Sequence, residues 1–283
     1  MHGYWDRSDT MYYTFLRFPE FRRKAVTLSY DDGSRCDKQL IEIMNRYGLR
    51  GTFNLNTGLE PMGRRMTHEE LIELFSDSPH EVAIHGARHY SLPEVDVAAA
   101  TKDVLTDREN LERMFGRIVK GMAYANGSTN EQVIQILKNC GVKYARTGQS
   151  TGDFRLPEDW YRMPGTCHHD SPRLMDLAKE FVERTDTNYP WANWPMLFYL
   201  WGHSYEFEDN NNWEVIEEFA SYVGNRPDIW YATNGEIYDY VQAFKRLEYS
   251  VDGKMIANPT STGVYLYHYG RNVFVPAGET VTL

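Results

Sequence analysis

"KAVTLSYDDGSRCDKQL", residues 24–40, runs from a short apolar segment through two adjacent carboxylates and a glycine into a helix-like segment. Ala25 to Tyr30 has the length and the β-branched and aromatic content of a buried strand. The residues that follow, "SRCDKQLIEIMNRYG", set Leu40, Ile41, Met44 and Tyr47 at helical spacing, with Gly48 as a stop. The stretch is therefore one strand–helix unit. Two like charges side by side repel, and a strand has no need of them. Asp31 and Asp32 ask for a reason beyond the fold.

The same alternation continues along the chain. "GTFNLN" (51–56) precedes "THEELIELF" (67–75), where Thr67 and Glu70 form a capping-box pattern. "EVAIHG" (81–86) precedes a helical stretch from about Val95 to Phe115. "GMAYANG" (121–127) precedes "STNEQVIQILKNCG" (128–141), with Ser128 or Thr129 as the expected cap and Gly141 as the stop. "VKYARTG" (142–148) follows, and past "YRMPGT" (161–166) a helix is expected through "RLMDLAKEFVER" (173–184). "MLFYLWGH" (196–203) is strongly apolar, and "NWEVIEEFASYVG" (212–224) is amphipathic. "DIWYATN" (228–234) then leads into "GEIYDYVQAFKRL" (235–247). Roughly seven strand–helix pairs predict a parallel sheet wrapped by helices. At 283 residues an α/β chain of this kind favours a (β/α) barrel of about seven strands over an open sheet. No G-x-G-x-x-G or G-x-x-x-x-G-K follows the first strand, which argues against nucleotide binding.

The barrel is expected over residues 1–248. Residues 249–283 change character: a hairpin around Asp252-Gly253 and alternating strands in "GVYLYHYGRNVFVPAGETVTL" predict a small β appendage packed on the barrel. "YYTFLRFPEFRRKAVTLSY" (12–30) reads as a hairpin leading into the first barrel strand.

Composition narrows the function. Thirty basic against forty acidic residues give a net charge of −10, so a nucleic-acid partner is not expected. No apolar run of about 18 residues occurs, so no membrane span is expected. Three cysteines without C-x-x-C spacing point to reduced thiols rather than a disulfide framework or a zinc knuckle. With no basic and apolar leader at the N-terminus, a full-length chain would be cytoplasmic; a trimmed leader would make it periplasmic or secreted.

Active sites in (β/α) barrels sit where strands end and βα loops begin. Three strand ends carry unusual chemistry: Asp31 and Asp32 on the first, His85 and His89 in "IHGARHYS" on the third, and His203 in "LWGHSYEFE" on the sixth. Each has an ordinary explanation alone, as a turn, a helix cap or a hydrogen-bonded histidine. Together they make a chemical set. One carboxylate and two imidazoles form a facial triad that leaves positions open on a divalent metal. Neighbouring strand residues point to opposite sides, so one aspartate can ligate while the other faces the metal's water. Zinc lowers the pKa of bound water from about 15.7 to about 7, a carboxylate can take the proton, and a histidine opposite can protonate the leaving group.

These segments, "TLSYDDG", "HGARH", "FYLWGH" and the strand "GTFNLNTG", resemble the motifs of the polysaccharide deacetylases of the chitooligosaccharide-deacetylase homology type, over about residues 20–245. The resemblance implies a distorted (β/α) barrel and metal-dependent removal of acetyl groups from saccharides. It also implies Asp31 as base, Asp32, His85 and His89 as metal ligands, and His203 as acid. Zn2+ is the expected ion, since two imidazoles and a carboxylate suit it. An acetylated saccharide is the expected partner.

The chain departs from the family at its third motif, R-x-P-Y-G. Here "AYANG" (123–127) retains only the glycine, and Ala123 stands where an arginine usually steadies the base. The Asn126 N–H can still face the oxyanion, a role that needs no particular side chain. Arg146, at the end of the next strand, is the expected substitute beside Asp31. Trp160 in "PEDWYRMPG" is a candidate pocket wall, with ordinary packing as its other reading, and Tyr205 and Glu206 are candidates for the site mouth; Trp213 reads as part of a solvated loop that caps the next helix through Asn211 or Asn212. His168 and His169 read as solvated or capping residues near a strand end, and His2, His68, His80 and His268 as surface residues. Two other functions fit the same sequence: a deformylase or amidohydrolase acting on a small molecule through the same metal site, and a non-catalytic carbohydrate-binding protein. The complete Asp31, Asp32, His85, His89 and His203 set argues against the last.

Overall fold

A computed structural model describes residues 13–185 and 193–283. Its strands are β1 (Thr14–Arg17), β2 (Lys24–Asp31), β3 (Gly51–Leu55), β4 (Glu81–Ile84), β5 (Gly121–Ala123), β6 (Tyr144–Ser150), β7 (Met163–Gly165), β8 (Cys167–His168), β9 (Met196–Gly202) and β10 (Ile229–Tyr231). Five short strands follow: β11 (Glu248–Tyr249), β12 (Met255–Ala257), β13 (Val264–His268), β14 (Arg271–Val275) and β15 (Thr280–Thr282). The helices are α1 (Asp37–Arg46), α2 (His68–Phe75), α3 (Val97–Phe115), α4 (Glu131–Asn139), α5 (Leu174–Glu183), α6 (Ser204–Asp209), α7 (Glu214–Val223) and α8 (Asn234–Lys245).

The central sheet is parallel, in the order β7-β6-β5-β4-β3-β2-β9-β8. β7 and β8 are separated by Thr166 alone, whose N–H donates to Tyr199 O at 2.8 Å. Met163–His168 thus pairs with β6 on one side and β9 on the other, and the sheet closes on itself. The result is a distorted barrel with seven staves, as expected. β10 is a partial eighth stave, pairing with Lys24–Val26 on the edge of β2 that β3 takes up farther along.

β2 is buried along its whole length and shows why strand alternation matters here. Val26, Leu28 and Tyr30 join the main apolar cluster with residues of the surrounding helices. Thr27, Ser29 and Asp31 alternate with them and meet polar partners: Thr27 Oγ1 donates to Asn234 Oδ1, and Ser29 Oγ accepts from Asn54 Nδ2. The inward face of β2 is a hydrogen-bonded polar row, set beside a smaller apolar cluster that includes Ala25, Tyr144 and Tyr199. Buried polar groups are tolerable only when partnered in this way.

The helices start largely where local chemistry dictates. Thr67–Glu70 and Thr233–Glu236 are full capping boxes on α2 and α8. The cap of α4 is Asn130, two residues past Ser128 and one past Thr129; it is extended, and its side chain accepts from Val133 N.

The expected hairpin over residues 12–30 is reduced to a single antiparallel bridge, Phe18 with Arg22. β1 pairs antiparallel with β13 instead, in a sheet ordered β1-β13-β14. The reason is that both edges of β2 are already taken, by β9 on one side and by β10 and β3 on the other. A second small sheet, β11-β12-β15, completes the C-terminal segment, and β11 straddles the expected boundary at residue 248. Tyr240 of α8 fastens this segment to the barrel: its hydroxyl donates to Arg17 O and accepts from Tyr265 N.

Two histidines expected on the surface are core residues. His268 is buried, with Nδ1 2.7 Å from Thr14 Oγ1 and Nε2 3.0 Å from Gly253 O. His80 is also buried; Nδ1 accepts from Gly51 N and Nε2 sits 3.2 Å from Asn45 Oδ1. His68 is exposed as expected, and His2 lies outside the described residues. Burial, helped by the Arg50 charge, pushes the His80 imidazole down to about 4. The folded state therefore resists protonation that the unfolded state accepts near pH 6.5. Its stabilising contribution is complete above about 6.5 and falls as pH drops toward 4. Stability measured by denaturant across pH 7 to 4 should fall more steeply for the wild type than for His80→Gln, and equal slopes would refute this.

Candidate active site

The C-terminal ends of β2, β4 and β9 bring together the residues singled out by the sequence. Asp31 is the last residue of β2 and is 3% exposed. Its Oδ1 accepts from Asn54 Nδ2 at 2.8 Å, and its Oδ2 accepts from Arg146 Nη2. His85 Nε2 lies 3.8 Å and His203 Nε2 4.0 Å from the same Oδ2. Burial alone would raise the Asp31 carboxyl; Arg146, with His85 and His203 beside it, outweighs burial and holds it below the usual carboxylate range.

Arg146 is 2% exposed and lies directly opposite Ala123 in the β5–β6 register. Its guanidinium also stacks 4.7 Å over the Trp201 ring and donates to Thr147 O. An arginine on β6 thus reaches Asp31 from the stave next to the position that has become alanine.

Asp32 leaves the strand in the left-handed region, at φ 78°. That turn separates its carboxylate from Asp31's and aims Oδ1 at two imidazoles, with His85 Nε2 and His89 Nε2 each 3.6 Å away. His89 is also left-handed, at φ 57°. Backbone strain of this kind at two non-glycine residues persists only where surrounding contacts enforce it. The donor set fits a divalent metal: the three ligand atoms lie within 4.8 Å of one another. His85 Nδ1 is 2.9 Å from Ala123 O, which takes its proton and leaves the Nε2 lone pair for a metal. Burial and the neighbouring His85 keep the His89 pKa below its ordinary value, so that ring too is neutral and ready to ligate.

The support under this triad was not foreseen. Asp103 and Asp107, one turn apart on α3, clamp the "HGAR" loop. Asp107 Oδ2 accepts from His85 N at 3.0 Å while its Oδ1 holds Thr57 N and Thr57 Oγ1; Asp103 Oδ1 accepts from Arg88 N at 2.8 Å. The signal was available: two acidic residues at i,i+4 on the buried face of a long helix. Burial pushes the Asp107 carboxyl up to about 7, against the pull of its Thr57 and His85 hydrogen bonds.

His203, at the end of β9, turns Nδ1 toward Glu206 Oε2 at 3.3 Å, and its own N–H donates to the same oxygen at 3.1 Å. Burial would depress its pKa, but the Glu206 and Asp31 carboxylates outweigh it and raise it. Tyr205 donates to Asp32 Oδ2 at 3.3 Å and lies under the Arg64 guanidinium, so both mouth candidates adjoin the site. Asn126 sits on the rim at φ 56°, its side chain donating to Ser91 Oγ.

Two expectations need correction. Trp160 is not a pocket wall: it is buried in the interior cluster with Tyr144, Tyr199 and Met163, edge-on to Tyr238. Its apolar area is worth more there than at a wet rim. His168 keeps a capping role, its Nδ1 accepting from Asp170 N at 3.2 Å, but His169 is no solvated cap. His169 is 1% exposed, and both rings approach Glu206, at 3.3 and 3.2 Å.

Residues 19–145 match the family model for polysaccharide deacetylase, a span that contains Asp31, Asp32, His85 and His89 and stops short of Arg146 and His203. No curated protein matches the chain. Among solved structures, a protein of Mycobacterium smegmatis described as a polysaccharide deacetylase is 16% identical, with a TM-score of 0.58 over 84% of this chain and 96% of its own; this likeness shows the fold. A Streptococcus pyogenes deacetylase in complex with acetate is 21% identical, with a TM-score of 0.40 over 43% of this chain; the match spans about half of that protein, 55%. A family 4 carbohydrate esterase pseudoenzyme from Bacillus anthracis is 13% identical, with a TM-score of 0.48 over 80% of this chain and 68% of its own.

Removing one partner from the Arg146–Asp31 pair leaves a buried charge uncompensated, which costs about 3–5 kcal/mol. Arg146→Met should therefore destabilise by that amount, and adding Asp31→Asn should recover most of it in denaturant titrations run with chelator. Additive effects would mean that the pair is not coupled. Asp107→Ala removes the acceptor of Thr57 N–H and one of the two acceptors of His85 N–H, the other being Leu55 O, and should cost about 1–3 kcal/mol. It should also weaken zinc binding roughly 10- to 100-fold in calorimetry; unchanged affinity would show that the clamp does not orient His85.

Proposed function

We propose that this protein is a metal-dependent hydrolase that removes an acetyl group, most readily N-acetyl, from a saccharide. One observation carries the reading: an ionised Asp31, held by Arg146, lies beside the Asp32–His85–His89 set with His203 across from it. The family match over residues 19–145 supports it independently.

Asp32, His85 and His89 would hold the divalent ion, with Zn2+ best suited to one carboxylate and two imidazoles. Such an ion polarises the acetyl carbonyl and brings the pKa of a water from about 15.7 to about 7. Asp31 is the base that takes the proton of the attacking water. Arg146 keeps that carboxylate ionised and oriented, the duty that Ala123 has given up. The Asn126 N–H faces the carbonyl oxygen as it gains charge. His203, protonated and oriented through Nδ1 by Glu206, gives its Nε2 proton to the departing amine. The C–N bond breaks, acetate leaves, and Asp31 releases its proton to water. Tyr205 and Glu206 border the path of the sugar, and an acetylated saccharide is the substrate class.

Acetate release from a panel of N- and O-acetylated saccharides, run with zinc and with chelator, tests the reading. Release should occur with zinc and stop with chelator. Asp31→Asn should lower turnover by about 10²- to 10⁴-fold while zinc stays bound. Loss of zinc in that variant would contradict the division of labour between Asp31 and Asp32. No release from any sugar by zinc-loaded protein would move the assignment to an amidohydrolase acting on a small molecule.

A further inference from the structure

A second cluster of metal-binding side chains lies behind His203; of its members the proposed reaction uses only Glu206, which orients His203. Glu206, in the first turn of α6, faces the end of β8. Its Oε2 is 3.3 Å from His168 Nε2 and 3.2 Å from His169 Nε2, and His169 Nε2 is also 3.2 Å from Asp170 Oδ1. One ligand atom from each of the four residues lies within 4.8 Å of the others.

His169 makes this more than a group of charges. Its ring is fixed by packing: it stacks on Tyr30 at 5.7 Å, lies 4.1 Å from Phe207, and abuts Gly202, where a Cβ would come within 2.1 Å of Nδ1. The ring cannot turn to search for partners. Nε2 is aimed between two carboxylates, yet no hydrogen bond with proper geometry reaches either ring nitrogen. A buried polar group without a partner is costly, and here its surroundings are two further anionic ligands. A divalent cation supplies what is missing: a partner for Nε2 and a counter-charge for Asp170, with Glu206 shared between the cation and His203.

We propose that His169, Asp170 and Glu206, joined by His168, form a second divalent-cation site of the zinc type. Two imidazoles and two carboxylates make a four-ligand set of the kind first-row ions accept. His168 Nδ1 accepts from Asp170 N at 3.2 Å, so Nε2 carries the proton in the metal-free chain. Ligation through Nε2 requires the other tautomer, with the proton moved to Nδ1 and the contact to Asp170 N given up. The cation ties the end of β8 to the first turn of α6 and braces the strand end from which His203 projects. It does not depend on the deacetylase reading.

The test counts zinc. Chelator-stripped full chain is dialysed against buffered zinc, and bound metal is measured by mass spectrometry. Wild type should hold two equivalents. Asp32→Asn with His85→Gln should hold one, and should still gain thermal stability on zinc addition. His168→Ala with Asp170→Asn, both partly exposed and so tolerable to the fold, should also hold one, and His169→Gln should do the same. Zero zinc in the Asp32/His85 variant, or no loss from wild type in the His168/Asp170 and His169 variants, overturns the second site. One equivalent in wild type that survives in the Asp32/His85 variant and disappears in the His168/Asp170 variant would keep the second site and remove the metal from the proposed reaction instead.

Discussion

The ion pair between Asp31 and Arg146 is the constraint around which the barrel interior is organised. Both groups are almost fully buried, and each alone would be a severe liability. Together, with Asn54 on the second carboxylate oxygen and Trp201 beneath the guanidinium, they are satisfied. The pair links β2 to β6 across the barrel, two staves that share no hydrogen bonds. It also keeps a carboxylate ionised where burial would otherwise neutralise it. Stability and chemistry draw on the same contact.

Around that pair the two adjacent aspartates separate by backbone geometry. Asp31 stays on the strand and faces inward; Asp32 turns left-handed and faces His85 and His89. Their mutual repulsion is thereby reduced, and each acquires its own counter-charge or ligand set. α3 completes the arrangement from outside the barrel, since Asp103 and Asp107 fix the loop that carries both histidines. The site depends on a second layer of carboxylates that never reach it.

Much of this was legible in the chain. Alternating apolar runs and amphipathic helices predicted the barrel, because burial on both faces of a parallel sheet leaves a periodic trace. Strand-end Asp31, Asp32, His85, His89 and His203 stood out because each follows an apolar run with chemistry a strand does not need. Arg146 was found by noticing a missing charge at Ala123. Other features left weaker traces. The burial of His80 and His268 depends on residues far away in sequence, Asn45 and Thr14, that satisfy their rings. Trp160 was a candidate pocket wall because an aromatic residue on a loop reads the same whether it points out or in.

By itself the sequence determined the order of elements, the strand ends that carry the reactive groups, and their chemical types. These follow from local periodicity and from the cost of placing charge next to apolar strands. Tertiary structure decided how the barrel closes through Met163–His168, which stave supplies the arginine, and why the N-terminal strand pairs with β13. It also decided that His168 and His169 gather on Glu206. These outcomes turn on which edges and faces remain free once the chain is folded, and residues distant in sequence compete for them, Thr14 and His268 at the extreme.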